Sequence, residues 1–202
     1  MPDRDTARRR PPDWLASDRT DLAREKILDV AADLFVTDGV AAVTMRGLAG
    51  AVGCSRATLY RYFPNKSEVL AAYVERAALT LGAAIADDLH GPGTPGDRLI
   101  RAISAAVSGV RDHPALAAWF TPDASGDAAQ IAVLSPGIEA IATGFLREIA
   151  PDGSEADRVT RARWLVRVIL SLLSTPGTDA ADERAMIERF VLPVVLPDGR
   201  AG

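Results

Sequence analysis

The chain has 202 residues, 48% hydrophobic and 25% charged, long enough to bury a core without disulfides or metals. Its one cysteine, Cys54, excludes an internal disulfide framework, and the two distant histidines, His90 and His113, leave a zinc site without ligands. Taken over the whole chain, a net charge of −4 argues against an anionic partner such as nucleic acid.

Residues 1–19 are polar and proline-bearing, with Arg8, Arg9 and Arg10 among flanking aspartates, and read as a disordered arm. The arginine run is either a solvated stretch or a contact to DNA phosphates or a minor groove. The arm has no apolar h-region. The most apolar stretch, 164–173, is about half a membrane span and carries Arg167. The expectation is a cytoplasmic protein with no membrane partner.

From there the period is helical throughout. Ile27, Val30, Ala31, Leu34 and Phe35 form one stripe of a helix over 21–38, which Gly39 ends in a left-handed cap. Thr44 caps a short helix with Met45, Leu48, Ala49 and Val52 on one face. Gly53 supplies a tight turn, Ser55 caps a second short helix over 56–62 that buries Leu59 and Phe63, and Pro64 stops it. Asn65, with Glu68 as a capping-box partner, opens a long helix over 66–89, apolar at Leu70, Tyr73, Val74, Ala77, Ala78, Leu81 and Ile85. The 91–96 loop matches GxGxxG, but no strand precedes it and two prolines interrupt it, so a dinucleotide reading fails. Helices follow at about 97–112, 114–121, 127–149 (with a break at Pro136-Gly137), 154–174 and 180–195. The fold class is all-α: a helix-turn-helix module over 20–66 and a larger helical domain over 67–198.

The chemistry lies in 44–66. Two short helices around a glycine turn make a helix-turn-helix, whose second helix enters a major groove. Leu59 and Phe63 point inward, leaving Arg56, Ala57, Tyr60 and Arg61 outward. Between 39 and 67 there are four basic residues (Arg46, Arg56, Arg61, Lys66) and no acid. This +4 window leaves −8 for the remainder, which gives an anion one place to dock. Backbone donors at the helix starts after Thr44, Ser55 and Asn65 add phosphate-binding positions.

The run from Thr44 through Gly53-Cys54-Ser55-Arg56-Ala57-Thr58-Leu59-Tyr60-Arg61-Tyr62-Phe63-Pro64-Asn65-Lys66 resembles the DNA-binding signature of TetR-family transcriptional regulators, and the likeness covers about 21–70. Cys54 stands where that family commonly has valine and Ala57 where it has glycine; both are small. The resemblance implies phosphate contacts from Thr44, Tyr60, Tyr62 and Lys66. It places Arg56, Ala57 and Arg61 at bases and Arg46 at the groove edge, with Ser55 and Thr58 in the same interface. It also implies a small-molecule effector in the second domain. Candidate lining residues are Ile103, Val107, Trp119, Phe120, Ile138, Ile141 and Phe145, for which plain core is the competing reading. Arg111 and His113 are a polar anchor or else caps and surface residues. The sparse charge over 128–146 points to an apolar effector.

Leu165, Val166, Ile169, Leu172 and Leu173, with Met186, Phe190, Val191, Val194 and Val195, are more apolar than one helical face needs. They read as a dimer interface, with intrachain core as the alternative. No cofactor, metal or catalytic constellation is indicated: the Gly53–Ala57 segment lacks the context of a nucleophile elbow. The expected function is a homodimeric, ligand-responsive regulator, most simply a repressor, on inverted-repeat double-stranded operator DNA. A helical small-molecule carrier with an idle DNA-binding head and a constitutive DNA-organising protein are the alternatives.

Overall fold

The computed structural model describes residues 14–86, 90–121 and 125–196, and every regular element among them is helical. α1 (Trp14–Thr37), α2 (Met45–Val52) and α3 (Arg56–Tyr62) form the head, and α4 (Lys66–Ala84) leads into the body. The body comprises α5 (Pro95–Arg111), α6 (Pro114–Ala117) with a 3-10 turn over Ala118–Phe120, α7 (Ser125–Leu134), α8 (Pro136–Ile149) and α9 (Glu155–Ser174). α10 (Ala180–Met186) passes through a π turn (Ile187–Val191) into α11 (Leu192–Val195).

The head follows local rules closely. The Thr44 hydroxyl accepts from the Gly47 N–H at 3.1 Å, the Ser55 hydroxyl from Thr58 N–H at 3.1 Å, and Asn65 Oδ1 from Glu68 N–H at 2.9 Å. Gly53, at φ +76°, closes α2: its N–H donates to Gly50 O, and Cys54 N–H reaches back to Ala49 O at 3.0 Å. These are the paired bonds of a Schellman turn, whose left-handed residue favours glycine. Gly39, just after α1, takes φ +81°, the left-handed region that favours glycine.

Several boundaries differ from the sequence expectation. α1 begins at Trp14, so residues 14–19, expected in the arm, are helical. Between 14 and 38 there is neither Gly nor Pro, and a helix nucleated by the Ile27 stripe extends at little cost per residue. Residues 1–13, with the arginine run, lie outside the described residues. α4 stops at Ala84, where Ile85 adopts φ −95° and ψ 6°, so it spans about 28 Å and not the length expected for 66–89. The break expected within 127–149 at Pro136-Gly137 is present, because Ser135 caps α8 and Pro136 takes its first turn. The π turn precedes Pro193, which has no N–H for an i−4 bond and whose ring disfavours a regular turn before it. The Gly-Pro loop is an α5 start: Thr94 and Asp97 form a reciprocal capping box with Pro95 behind the cap.

Packing makes the head and the body one molecule. Ile27, Ala31, Phe35, Leu48, Leu59 and Phe63 are buried in one cluster with Leu70 and Tyr73 of α4 and with Ala115, Leu116 and Trp119. A second cluster joins α5, α8 and α9 to the terminal helices through Leu99, Ile103, Leu146, Leu165 and Ile187.

The terminal helices are clasped to α5 by an ion pair. Arg111 donates two bonds to Glu183, at 2.7 and 3.0 Å, and one to Leu172 O at 3.0 Å, while Gly177 N–H donates to Glu183 Oε1 at 3.0 Å. A Cβ at Gly177 would stand 2.7 Å from Glu183 Cγ, so this approach requires glycine. The Arg111 hydrogen bonds hold the Glu183 carboxyl below its ordinary value, against the opposing effect of burial. A depressed folded-state pKa contributes stability above the unfolded value and loses it as pH falls through the folded one. Glu183→Gln is therefore expected to lower stability at neutral pH by about 2 kcal/mol. Denaturant melts as a function of pH should show that deficit shrinking below about pH 4.

Candidate nucleic-acid interface and ligand cavity

α3 is oriented by two buried anchors, Leu59 at 0% and Phe63 at 1% exposure. Because these fix one face inward, Arg56, Ala57, Tyr60 and Arg61 emerge on the other, all exposed, with Arg46 exposed on α2. The Arg61 guanidinium lies 5.2 Å from the centre of the Tyr62 ring, and Tyr62 is itself partly packed on the head core. Thr44 and Ser55 are exposed caps, and the Ser55 and Thr58 hydroxyls lie 2.9 Å apart. Lys66 is half-buried: its ammonium donates to Val40 O at 2.8 Å and Ala41 O at 3.0 Å, tying the start of α4 to the loop before α2. Cys54 is partly buried against the same core.

One contributor carries no sequence signal. Arg24 of α1 donates to Tyr62 O at 2.8 Å, and its guanidinium sits 4.3 Å over the Phe63 ring. It thereby satisfies a free carbonyl at the C-terminus of α3 and holds that helix against α1. Nothing about its spacing on α1 predicts a contact with a carbonyl far along the chain.

The body holds a partly open cavity of about 180 Å³ between α4, α5, the α6 turn, α7, α8 and α9. Six of the candidate residues, Ile103, Trp119, Phe120, Ile138, Ile141 and Phe145, line it. Val107 does not: it is 2% exposed and packed in the second cluster, on a different face of α5 from the wall residues Ala102, Ile103, Ala106 and Val110. The α4 wall is Val74, Ala77, Ala78, Leu81, Gly82 and Ile85, the apolar face of that helix. Close approach is built in, since Leu81 Cδ1 lies 2.3 Å from where a Cβ on Gly109 would stand. No charged side chain lines the cavity among the described residues. Arg111 is committed to Glu183, and His113 is exposed at the start of α6, so neither provides the polar anchor considered from the sequence.

The association face also needs correction. Leu165, Val166, Leu172, Leu173, Val191 and Val195 are buried within the single chain, and Leu165, Val166, Ile169 and Leu173 line the cavity. A side chain already covered by its own protomer has no area left to bury against a partner. What stays open is Phe190 at 61% and Val194 at 51% exposure, one helical turn apart, with Met186 partly covered.

Head and cavity meet at Trp119. Its ring stacks on Tyr73 at 6.1 Å and stands edge-on to Phe35 at 5.6 Å, while Phe35 and Tyr73 meet edge-on at 5.3 Å. Burial pushes the Tyr73 phenol up, the neighbouring Arg76 pulling the other way, so the hydroxyl stays protonated at neutral pH. Arg76 also pairs with Glu25 at 2.8 Å and Asp29 at 2.6 Å, a second tie between α4 and α1.

Comparison with known proteins agrees with this architecture. The family described as bacterial regulatory proteins, tetR family, matches residues 27–73. The chain is 45% identical, over 94% of its length and 93% of the other's, to the uncharacterized HTH-type transcriptional regulator Rv1255c of Mycobacterium tuberculosis. Among solved structures, the TetR family repressor AlkX from Dietzia sp. matches with a TM-score of 0.63 at 23% identity, covering 85% of this chain and 94% of that one. RolR in complex with resorcinol matches with a TM-score of 0.60 at 18% identity, covering 86% and 96%. These two structures speak for the fold, and the near full-length relative together with the family match speaks for the lineage: the chain belongs to the TetR family of bacterial transcriptional regulators.

Proposed function

We propose that the protein is a homodimeric, ligand-responsive repressor that binds an inverted-repeat operator in the cytoplasm and releases it when an apolar effector fills the body cavity. The observation that carries this reading is the shared core. The face of the head opposite Arg56 and Arg61 is completed by Trp119, which also forms part of the cavity wall.

In this reading Arg56, Ala57 and Arg61 read base edges, with Arg46 at the groove edge. Thr44, Ser55, Thr58, Tyr60 and Tyr62 position the phosphates. Lys66 contributes charge from a site fixed by the Val40 and Ala41 carbonyls. Arg24 positions α3 and touches no DNA. The two heads of a dimer engage half-sites about 34–36 Å apart. Only three residues separate α3 from α4, so a change in α4's seat on the cavity alters the direction of α3. An effector shifts this equilibrium only by its differential affinity for the two arrangements, typically about 1–3 kcal/mol.

Operator sequences selected with the purified protein give the direct test. Arg56→Ala and Arg61→Ala are expected to weaken binding by about 1–3 kcal/mol each and to relax preference at the base each one reads. If both leave affinity and base preference unchanged, α3 is not the reading helix. Arg24→Met should weaken binding to every selected sequence alike, because it loosens the helix without touching a base. The dimer surface is tested separately: Phe190→Asp should shift the protein toward monomer in sedimentation at micromolar concentration and cost operator affinity. A Phe190→Asp protein that sediments like the parent places the interface elsewhere.

A further inference from the structure

Among the described residues, every side chain that lines the body cavity belongs to Gly, Ala, Val, Leu, Ile, Phe or Trp. Trp119 carries the one side-chain heteroatom of that lining. Its Nε1 is buried even from the cavity, so the indole presents ring carbon to the space. The backbone donors and acceptors within α4, α5, α8 and α9 are taken up by the helices themselves. Lining residues that keep some exposure, among them Leu81, Ile85, Val110 and Ile169, are apolar too, so no lining side chain offers a polar contact at the opening.

Such a wall selects against polarity and sets a size. A hydroxyl, carbonyl or charge taken inside exchanges water for carbon, and nothing in the lining compensates. Apolar cavities of about 150 Å³ stay dry when empty and take benzene, so a space of about 180 Å³ holds a slightly larger body. We propose that the effector is a compact hydrocarbon with no hydrogen-bonding group, a substituted ring or short branched chain of roughly six to ten carbons. Its affinity comes from apolar surface removed from water and from close contact with the wall, which includes the rings of Trp119, Phe120 and Phe145. The same wall rejects the hydroxylated counterpart of its own ligand, so the protein distinguishes a hydrocarbon from the alcohol or phenol that oxidation of it would give. The inference rests on the ligand-responsive reading above and adds the class and size of the ligand.

The test uses the full chain without DNA, so the ligand class can fail while operator release stands, and the reverse. Toluene and phenol, which have nearly the same shape, are titrated by calorimetry, with octanoate as a probe whose charged end could stay at the opening. Toluene is expected to bind more than about thirtyfold more tightly than phenol, a larger gap than transfer into a medium able to hydrogen-bond the hydroxyl gives. Ala142→Leu, which extends carbon into the space from the α8 wall, should weaken toluene by about tenfold. If that variant fails to fold, the toluene-to-phenol ratio of the parent protein decides alone. Absence of toluene binding, a smaller preference over phenol, octanoate binding at least as tightly as toluene, or a folded Ala142→Leu protein that binds toluene as well as the parent overturns the proposal.

Discussion

The Phe35–Tyr73–Trp119 contact is the constraint on which the rest of the molecule depends. α2 and α3 have only 8 and 7 residues, too short to hold helical form without packing. Their anchors, Leu48, Leu59 and Phe63, need a core that the first seventy residues alone complete poorly, and the deficit is made up by α4 and by Trp119 from the body. Each aromatic pair adds about 0.5–1.5 kcal/mol beyond the area it buries. The same indole lines the cavity. The head therefore cannot be stabilised without reference to the cavity wall, and whatever repacks that wall acts on the head.

Charge and geometry divide the labour on the outer surface. The acid-free window concentrates positive potential on α2 and α3, while the acidic remainder keeps the body off an anionic polymer. Two cations fix the geometry of the head: Arg24 on the C-terminus of α3, and Lys66, itself within that window, on the loop before α2. Arg76 and its pairs with Glu25 and Asp29 couple α4 to α1 on the surface. Such exposed pairs contribute little energy, so the orientation is set mainly by the buried rings beneath them.

Local rules made the head legible from the sequence. Thr44, Ser55, Asn65 and Gly53 act within a few residues, and their caps and turn form as spacing requires. Periodicity also located α5, α8 and α9, and six of the seven candidates chosen because the family resemblance implied a cavity do line one. It could not separate three fates of an apolar face, namely core, cavity wall and subunit surface, because burial of any kind leaves the same 3.6-residue signal. Val107 went to core, Leu165 and Leu173 to the wall, and only Phe190 and Val194 stayed open. Arg24 and the Arg111–Glu183 clasp join positions distant in sequence, and no local pattern announces them. The early start of α1 reflects cheap propagation from a packed segment, which a composition-based reading of a polar stretch underrates.

One packed seam joins the head to the cavity, and linkage between operator and effector tests its role most directly. The measurement is the affinity of the protein for selected operator DNA with and without a saturating apolar probe of the cavity such as toluene, alongside toluene affinity with and without saturating operator. Each ligand is expected to weaken the other by the same factor, about five- to 150-fold. Toluene that binds with unchanged affinity in the presence of operator, and leaves operator affinity unchanged, would contradict it.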